Sequence, residues 1–131
     1  FIVLFIYAII TNCNHKVLGL YYLWFSFIFG IYGFLLSIII RTELYSSSLI
    51  IIAQENINLY NMIFTVHGII MIFFNVMPGL FGGFGNYFLP ILCGFAELTY
   101  PRLNSISLLL QPVAFGLIVL STAAEFGGGT G

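Results

Sequence analysis

The chain has 131 residues, of which 61% are hydrophobic and 5% are charged, and its formal net charge is -1. Its mean hydropathy of +1.14 lies far above that of soluble domains. With 3 basic side chains it has no basic surface that would neutralise nucleic-acid phosphates, which excludes nucleic acid as a partner. The composition predicts a membrane protein whose main surroundings are the lipid bilayer.

Three uncharged stretches are long enough to cross a hydrocarbon core, which takes about 20 helical residues. They lie at about residues 20–40, 60–96 and 105–124. Because a backbone in lipid must satisfy its own hydrogen bonds, these stretches predict helices and an all-α, polytopic transmembrane fold. The second stretch exceeds one perpendicular crossing, so it must tilt, kink or extend beyond the bilayer. Pro78 and the glycines after it are the predicted bend.

The other segments are shorter or more polar. Residues 42–58 and 97–104 predict loops, and the apolar residues 1–10 are too short to span, so we expect them at the interface or against the bundle. Lys16 and Arg102 precede the first and third stretches at one membrane face, which places the N-terminus inside. The chain lacks an initiator Met and stops within a glycine run, so we expect it to be part of a longer polypeptide.

His67 is the residue of the second stretch that most clearly suggests chemistry. At a rise of 1.5 Å per residue it lies about 10 Å along the predicted helix from Tyr60, and therefore within the membrane. An ionisable side chain within the membrane usually has a function, since burying it without a hydrogen-bonding or charged partner is costly. A structural histidine bonded to a neighbouring helix is equally compatible with the composition. Gly68 and the apolar neighbours Phe64 and Met71 favour a ligand beside a flat macrocycle.

Ordered motifs lie around His67: Tyr60-Asn61, Thr65-Val66-His67, residues 71–78 and residues 82–87. Together they resemble the second helix of subunit 1 in the cytochrome c oxidase family. Other family segments match in the same order at residues 14–16, 40–44, 100–104 and 125–131. Ordered motifs with compatible spacing, here over about residues 11 to 131, are more specific than any single motif. The resemblance implies three helices of a twelve-helix haem-copper oxidase subunit.

The resemblance also implies roles for residues near a haem. The helix-two histidine of the family is an axial ligand of the low-spin haem a, so His67 is the expected iron ligand. Arg41 matches the arginine that hydrogen-bonds the haem a formyl group, where a fixed cation tunes the iron potential. Tyr60 and Ser37 match neighbours of the same haem. Glu43 matches a glutamate near a sodium or calcium site, although the loop after it differs in length.

A second set of residues resembles the entrance of the family's D pathway for protons. Glu97 occupies the position of an aspartate at the mouth of this pathway, and Asn86, Asn104, Tyr22 and Ser107 match polar residues of its lower part. Proton uptake needs an exposed carboxylate joined to groups that hold water. The longer glutamate either preserves uptake or alters pumping, and an ordinary loop carboxylate is the alternative.

The implied function is a haem-binding part of the catalytic subunit of a cytochrome c oxidase, which passes electrons from cytochrome c to dioxygen and pumps protons. Ligands of the high-spin haem and copper, and the second haem a ligand, lie in later family helices, so this chain carries no catalytic residue. Expected partners are the rest of subunit 1, the copper-bearing subunit 2, subunit 3 and cytochrome c.

Two alternatives to this function remain. One is subunit 1 of a quinol oxidase or of another haem-copper relative. The other is a transporter or assembly subunit in which His67 only bonds between helices. Enrichment in Phe, Ile, Tyr and Asn is typical of an AT-biased organelle genome and favours the mitochondrial inner membrane over a bacterial plasma membrane.

Overall fold

The computed structural model describes residues 2–11, 14–45 and 57–124, which form helices and no strand. The α-helices are α1 (Ile2–Thr11), α2 (His15–Tyr45), α3 (Ile57–Ile69), α4 (Asn86–Cys93) and α5 (Pro101–Thr122). Between α3 and α4 the backbone continues as two π-helical segments, Ile70–Val76 and Pro78–Gly85. Residues Ile57–Cys93 therefore form one continuous helical stretch of 37 residues, which we call the second span.

In the described part of the chain, α2, the second span and α5 are long and apolar enough to cross a membrane. This finding confirms the predicted all-α class with three membrane-length helices. The predicted loops were wrong at residues 42–45, which extend α2, at residues 57–58, which begin α3, and at residues 101–104, which begin α5. An uncharged stretch marks only the hydrocarbon core, and a helix continues through the headgroup region beyond it. Residues 46–56 of the first predicted loop lie outside the described residues.

The second span departs from regular α-helix around the position of the predicted bend. The N–H of Met77 bonds to the carbonyl of Ile72, five residues earlier, as in a π-helix. Pro78 follows and has no N–H of its own, so the regular ladder of hydrogen bonds is interrupted there. The wider turns of the π-helical segments accommodate Pro78 inside a continuous helix.

α2 and the second span run antiparallel and approach closely through small residues. A Cβ on Gly19 would lie 3.0 Å from the carbonyl oxygen of Gly83, and a Cβ on Gly82 would lie 2.6 Å from the ring of Tyr22. Contacts as close recur along the pair at Gly30, Gly33 and Gly79. Because lipid supplies no hydrophobic drive between helices, close backbone approach and van der Waals packing hold such pairs together.

α5 runs parallel to α2 and completes two buried clusters. At the end where α2 and α5 begin, which we call the lower end, the buried residues are Ile9, Leu18, Tyr22 and Leu108. In the upper cluster they are Phe29, Met62, Val66, Ile70 and Phe74. Phe115 of α5 stacks on Phe29, with ring centroids 4.1 Å apart. Burial of Ile9 places α1 against the bundle.

We expect Gly19→Val to lower the free energy of unfolding of the assembled protein by about 1–3 kcal/mol, as overpacking does. The new side chain would press on a carbonyl oxygen and on the backbone of the second span. Gly116→Val is the matched control, because a Cβ there would meet no atom within 4 Å. Thermal unfolding in detergent measures both variants, and equal losses would contradict this packing.

Candidate functional site

His67 lies on α3, and its ring contacts α2. Its Nδ1 lies 2.9 Å from the carbonyl oxygen of Gly33. Because a carbonyl oxygen only accepts, Nδ1 carries the proton and donates it to this bond. In the neutral imidazole the other nitrogen, Nε2, then keeps its lone pair. A ring N–H held by a carbonyl, with a lone pair on the far side, is typical of a histidine that binds a metal.

The surroundings of His67 are open on one side and closed on another. A Cβ added to Gly68 would meet no atom within 4 Å. Phe64, one turn earlier, is 61% exposed, whereas Val66 and Ile70 are buried in the upper cluster. The half-buried imidazole therefore lies between packed helix and open apolar space. This arrangement accommodates a flat apolar group against the helix.

The other residues predicted to lie near the haem are found toward the upper end of the same two helices. Gly33, Ser37 and Arg41 follow one another at intervals of one helical turn and share a face of α2. Because α3 is antiparallel, Tyr60, about 10 Å from His67 along the helix, reaches the level of Arg41. Arg41 is exposed, and the Ser37 hydroxyl donates to a carbonyl of its own helix at 2.7 Å.

Glu43 lies in the last turn of α2 and is buried, with 6% of its surface exposed. The loop that would complete a sodium or calcium site lies outside the described residues, so this role stays a prediction. Within the ranges that the structure describes, no three side chains of His, Cys, Asp or Glu converge on a metal-sized site. A metal bound at His67 would therefore take its other ligands from a cofactor or from elsewhere in a larger assembly.

Four of the residues predicted for proton uptake meet at the lower end. The Asn86 side-chain amide donates to Asn104 Oδ1 at 3.0 Å, and the Ser107 hydroxyl donates to the Asn104 carbonyl at 2.8 Å. The hydroxyls of Tyr22 and Ser107 are hydrogen-bonded to each other. We call this connected set, Tyr22, Asn86, Asn104 and Ser107, the lower polar cluster.

His15 contacts the lower polar cluster through a hydrogen bond that the sequence did not predict. Its Nδ1 donates to the carbonyl oxygen of Asn86 at 3.1 Å. His15 is only 6% exposed, so its ring has no open side for a macrocycle, unlike that of His67. Beside it, Nδ2 of Asn104 is buried without a hydrogen-bond partner among the described residues. The cluster therefore retains a donor for a water molecule.

Glu97 lies at the lower end but outside these hydrogen bonds. It belongs to the short connection between α4 and α5 and is exposed. This connection starts at Gly94, whose φ of 74° suits a glycine, and the N–H groups of Gly94 and Phe95 bond the last carbonyls of α4. The carboxylate is accessible to water, and any link to the lower polar cluster runs through solvent.

Further polar side chains, which the sequence motifs do not single out, lie deeper in the bundle. The Ser26 hydroxyl lies 2.7 Å from the carbonyl oxygen of Asn75 and 3.0 Å from its Oδ1. Gln111 of α5 is 9% exposed, and neither atom of its amide has a hydrogen-bond partner among the described residues. The available signal was a polar residue within an apolar stretch, which is costly in a membrane.

Comparison with known proteins agrees with the resemblance seen in the motifs. The profile of the family described as Cytochrome C and Quinol oxidase polypeptide I matches residues 17–131. Over 125 residues, 95% of this chain, the sequence is 86% identical to cytochrome c oxidase subunit 1 of Plasmodium chabaudi and 85% identical to that of Plasmodium falciparum. For Theileria parva, identity is 53% over 91 residues, which cover 70% of this chain and 19% of that protein. The chain spans 26% of the length of the two Plasmodium relatives.

Proposed function

The chain belongs to the cytochrome c and quinol oxidase polypeptide I family, and on this premise we propose that His67 is one axial ligand of a low-spin haem a. The whole subunit would be the catalytic subunit of a cytochrome c oxidase. The observation that carries the proposal is the hydrogen bond from Nδ1 of His67 to the carbonyl of Gly33. It leaves Nε2 as the ligating atom and orients the ring.

The residues around His67 suit a haem. A porphyrin supplies four nitrogens to its iron, so a single histidine from this chain is sufficient at one axial position. Open space beside Gly68 and the exposed Phe64 provide an apolar wall for the macrocycle. When bound, the haem would supply a one-electron carrier, which His67 would hold through Nε2.

The chain's own residues would position the haem and tune its potential. Gly33 restrains the imidazole of His67 through the carbonyl oxygen and makes the ligand more basic. Arg41 lies further along the same face of α2, where its guanidinium would donate to the formyl group of haem a and withdraw electron density. Tyr60 and Ser37 would border the same edge of the macrocycle.

We expect His67→Ala to abolish the low-spin haem a absorption band of the assembled oxidase, because no other described histidine faces open apolar space. His15→Ala is the matched control: its ring has the same Nδ1 to carbonyl bond but is enclosed. Optical difference spectra of purified complexes measure the bands. A low-spin band that survives in His67→Ala would contradict the assignment.

The second part of the proposal concerns protons. Glu97 would collect protons at the lower membrane face, and water would carry them to the lower polar cluster of Tyr22, Asn86, Asn104 and Ser107. The connected hydrogen bonds of that cluster support this role, since they provide amide and hydroxyl groups that exchange hydrogen bonds with water. The unpartnered Nδ2 of Asn104 is the donor through which water would join.

We expect Glu97→Gln to slow proton uptake by the assembled oxidase while leaving its haem content unchanged, because the amide cannot take up and release a proton. Glu97→Asp is the matched control, since it keeps the carboxylate in the same exposed connection. Stopped-flow measurement of proton uptake in vesicles distinguishes the variants. Unchanged uptake in Glu97→Gln would count against the entrance role.

The proposed setting is a multi-pass chain in the mitochondrial inner membrane. Lys16 and Arg102 lie at the lower end, where α2 and α5 begin, which supports a lower face on the inner side. The proposed partners are the rest of subunit 1, which would supply the second haem a ligand, the high-spin haem site and the copper ligands, together with the copper-bearing subunit 2 and subunit 3. Cytochrome c is the proposed electron donor, in keeping with the names of the Plasmodium and Theileria relatives.

A further inference from the structure

Gln111 is a buried polar residue that the proposed function does not use. It lies in the middle of α5 with 9% of its surface exposed, and both Oε1 and Nε2 lack a hydrogen-bond partner among the described residues. A buried amide with neither a donor nor an acceptor bond has lost its hydrogen bonds to water and gained none in return, which is unfavourable. An amide in this state points to a ligand that satisfies both atoms.

The backbone next to Gln111 offers a carbonyl that lacks its usual helical partner. Pro112 follows it within α5 and has no N–H to donate to the carbonyl of Leu108, one turn earlier. Leu108 is fully buried, so this carbonyl lies inside the bundle. In membrane helices such carbonyls are satisfied by neighbouring side chains or by ordered water.

Polar groups of α2 and the second span lie at the same level as Gln111. On α5, Gln111 is one turn above Ser107, and on α2, Ser26 is one turn above Tyr22. The hydrogen bond between the Tyr22 and Ser107 hydroxyls places these two residues at the same level of the parallel helices α2 and α5. Ser26 and Gln111, each four residues further along, therefore lie at one level about 6 Å deeper in the membrane. Ser26 in turn contacts Asn75 of the second span.

We propose that Gln111 binds an ordered water molecule inside the bundle, with the carbonyl of Leu108 as a second partner and the hydroxyl of Ser107 or Ser26 as a third. Buried waters make two to four hydrogen bonds to otherwise unsatisfied polar groups, and these residues supply that number. Water is the occupant because it both donates and accepts, as the two atoms of the amide require.

The bound water extends the lower polar cluster by one helical turn toward the membrane interior. A proton that reaches the water from the Ser107 side forms one O–H bond, and another O–H bond breaks to release a proton on the far side. The amide of Gln111 holds the water and undergoes no net change. This conducting role rests on the proposed function, whereas the binding of water does not.

The first test is a structure of the assembled oxidase at a resolution that shows ordered water. We expect a solvent peak within hydrogen-bonding distance of the Gln111 amide. The Gln111→Met variant keeps an unbranched side chain of similar size and should lose that peak. Leu110→Met, on the exposed face of the same helix, should retain it. Direct bonding of the amide to protein, or a dry site in the unaltered complex, would overturn the proposal.

The second test is proton uptake by the same variants. Gln111→Met should slow uptake several-fold with normal haem bands, and Leu110→Met should not. Loss of the solvent peak with unchanged uptake would overturn the conducting role. Measuring Glu97→Gln in the same assay distinguishes a failure of the conducting role from a failure of the proposed entrance. This variant removes the exposed carboxylate and leaves the water site intact, so its effect on proton uptake tests the entrance alone.

Discussion

The hydrogen bond between Nδ1 of His67 and the carbonyl of Gly33 requires α2 and the second span to lie close together. That approach is possible because glycines occupy the contact, as at Gly19, where an added Cβ would lie 3.0 Å from the carbonyl oxygen of Gly83. In lipid no water would satisfy the imidazole, so its partner must come from the neighbouring helix. The packing of two helices thereby determines which nitrogen of the histidine is available to a metal.

The proposed function assigns two kinds of chemistry to the same helix pair, at different depths. Toward the upper end, His67 and Arg41 lie beside open, apolar surface, which is suited to a cofactor. At the lower end, the hydroxyl of Tyr22 and the amide of Asn86 belong to a hydrogen-bonded cluster that α5 completes. Ser26 and Gln111 lie above that cluster, so polar groups follow one side of the bundle into the membrane. Proton and electron functions would thus share one scaffold without sharing residues.

Much of this arrangement was predictable because it depends on local patterns. Long apolar stretches predicted three membrane helices, and ordered motifs predicted the family and singled out Tyr22, Asn86, Asn104 and Ser107, which the structure brings together. Helix ends were less predictable, since charge at residues 41–43 marks the edge of the hydrocarbon core and not the end of a helix. The hydrogen bond of His15 to the Asn86 carbonyl could not be predicted, because it joins residues 71 positions apart. Gln111 was not predicted, because only the burial of its amide, without a partner among the residues that the structure describes, distinguishes it.

The central claim is that Gly33 fixes the tautomer of His67 so that Nε2 faces the iron of a low-spin haem. A structure of the assembled, haem-loaded oxidase tests this claim most directly, through the two ring nitrogens of His67. The account predicts that Nε2 coordinates the haem iron while Nδ1 remains within hydrogen-bonding distance of the Gly33 carbonyl. Coordination through Nδ1, or a His67 ring bonded only to neighbouring helices with the iron held by other residues, would contradict it.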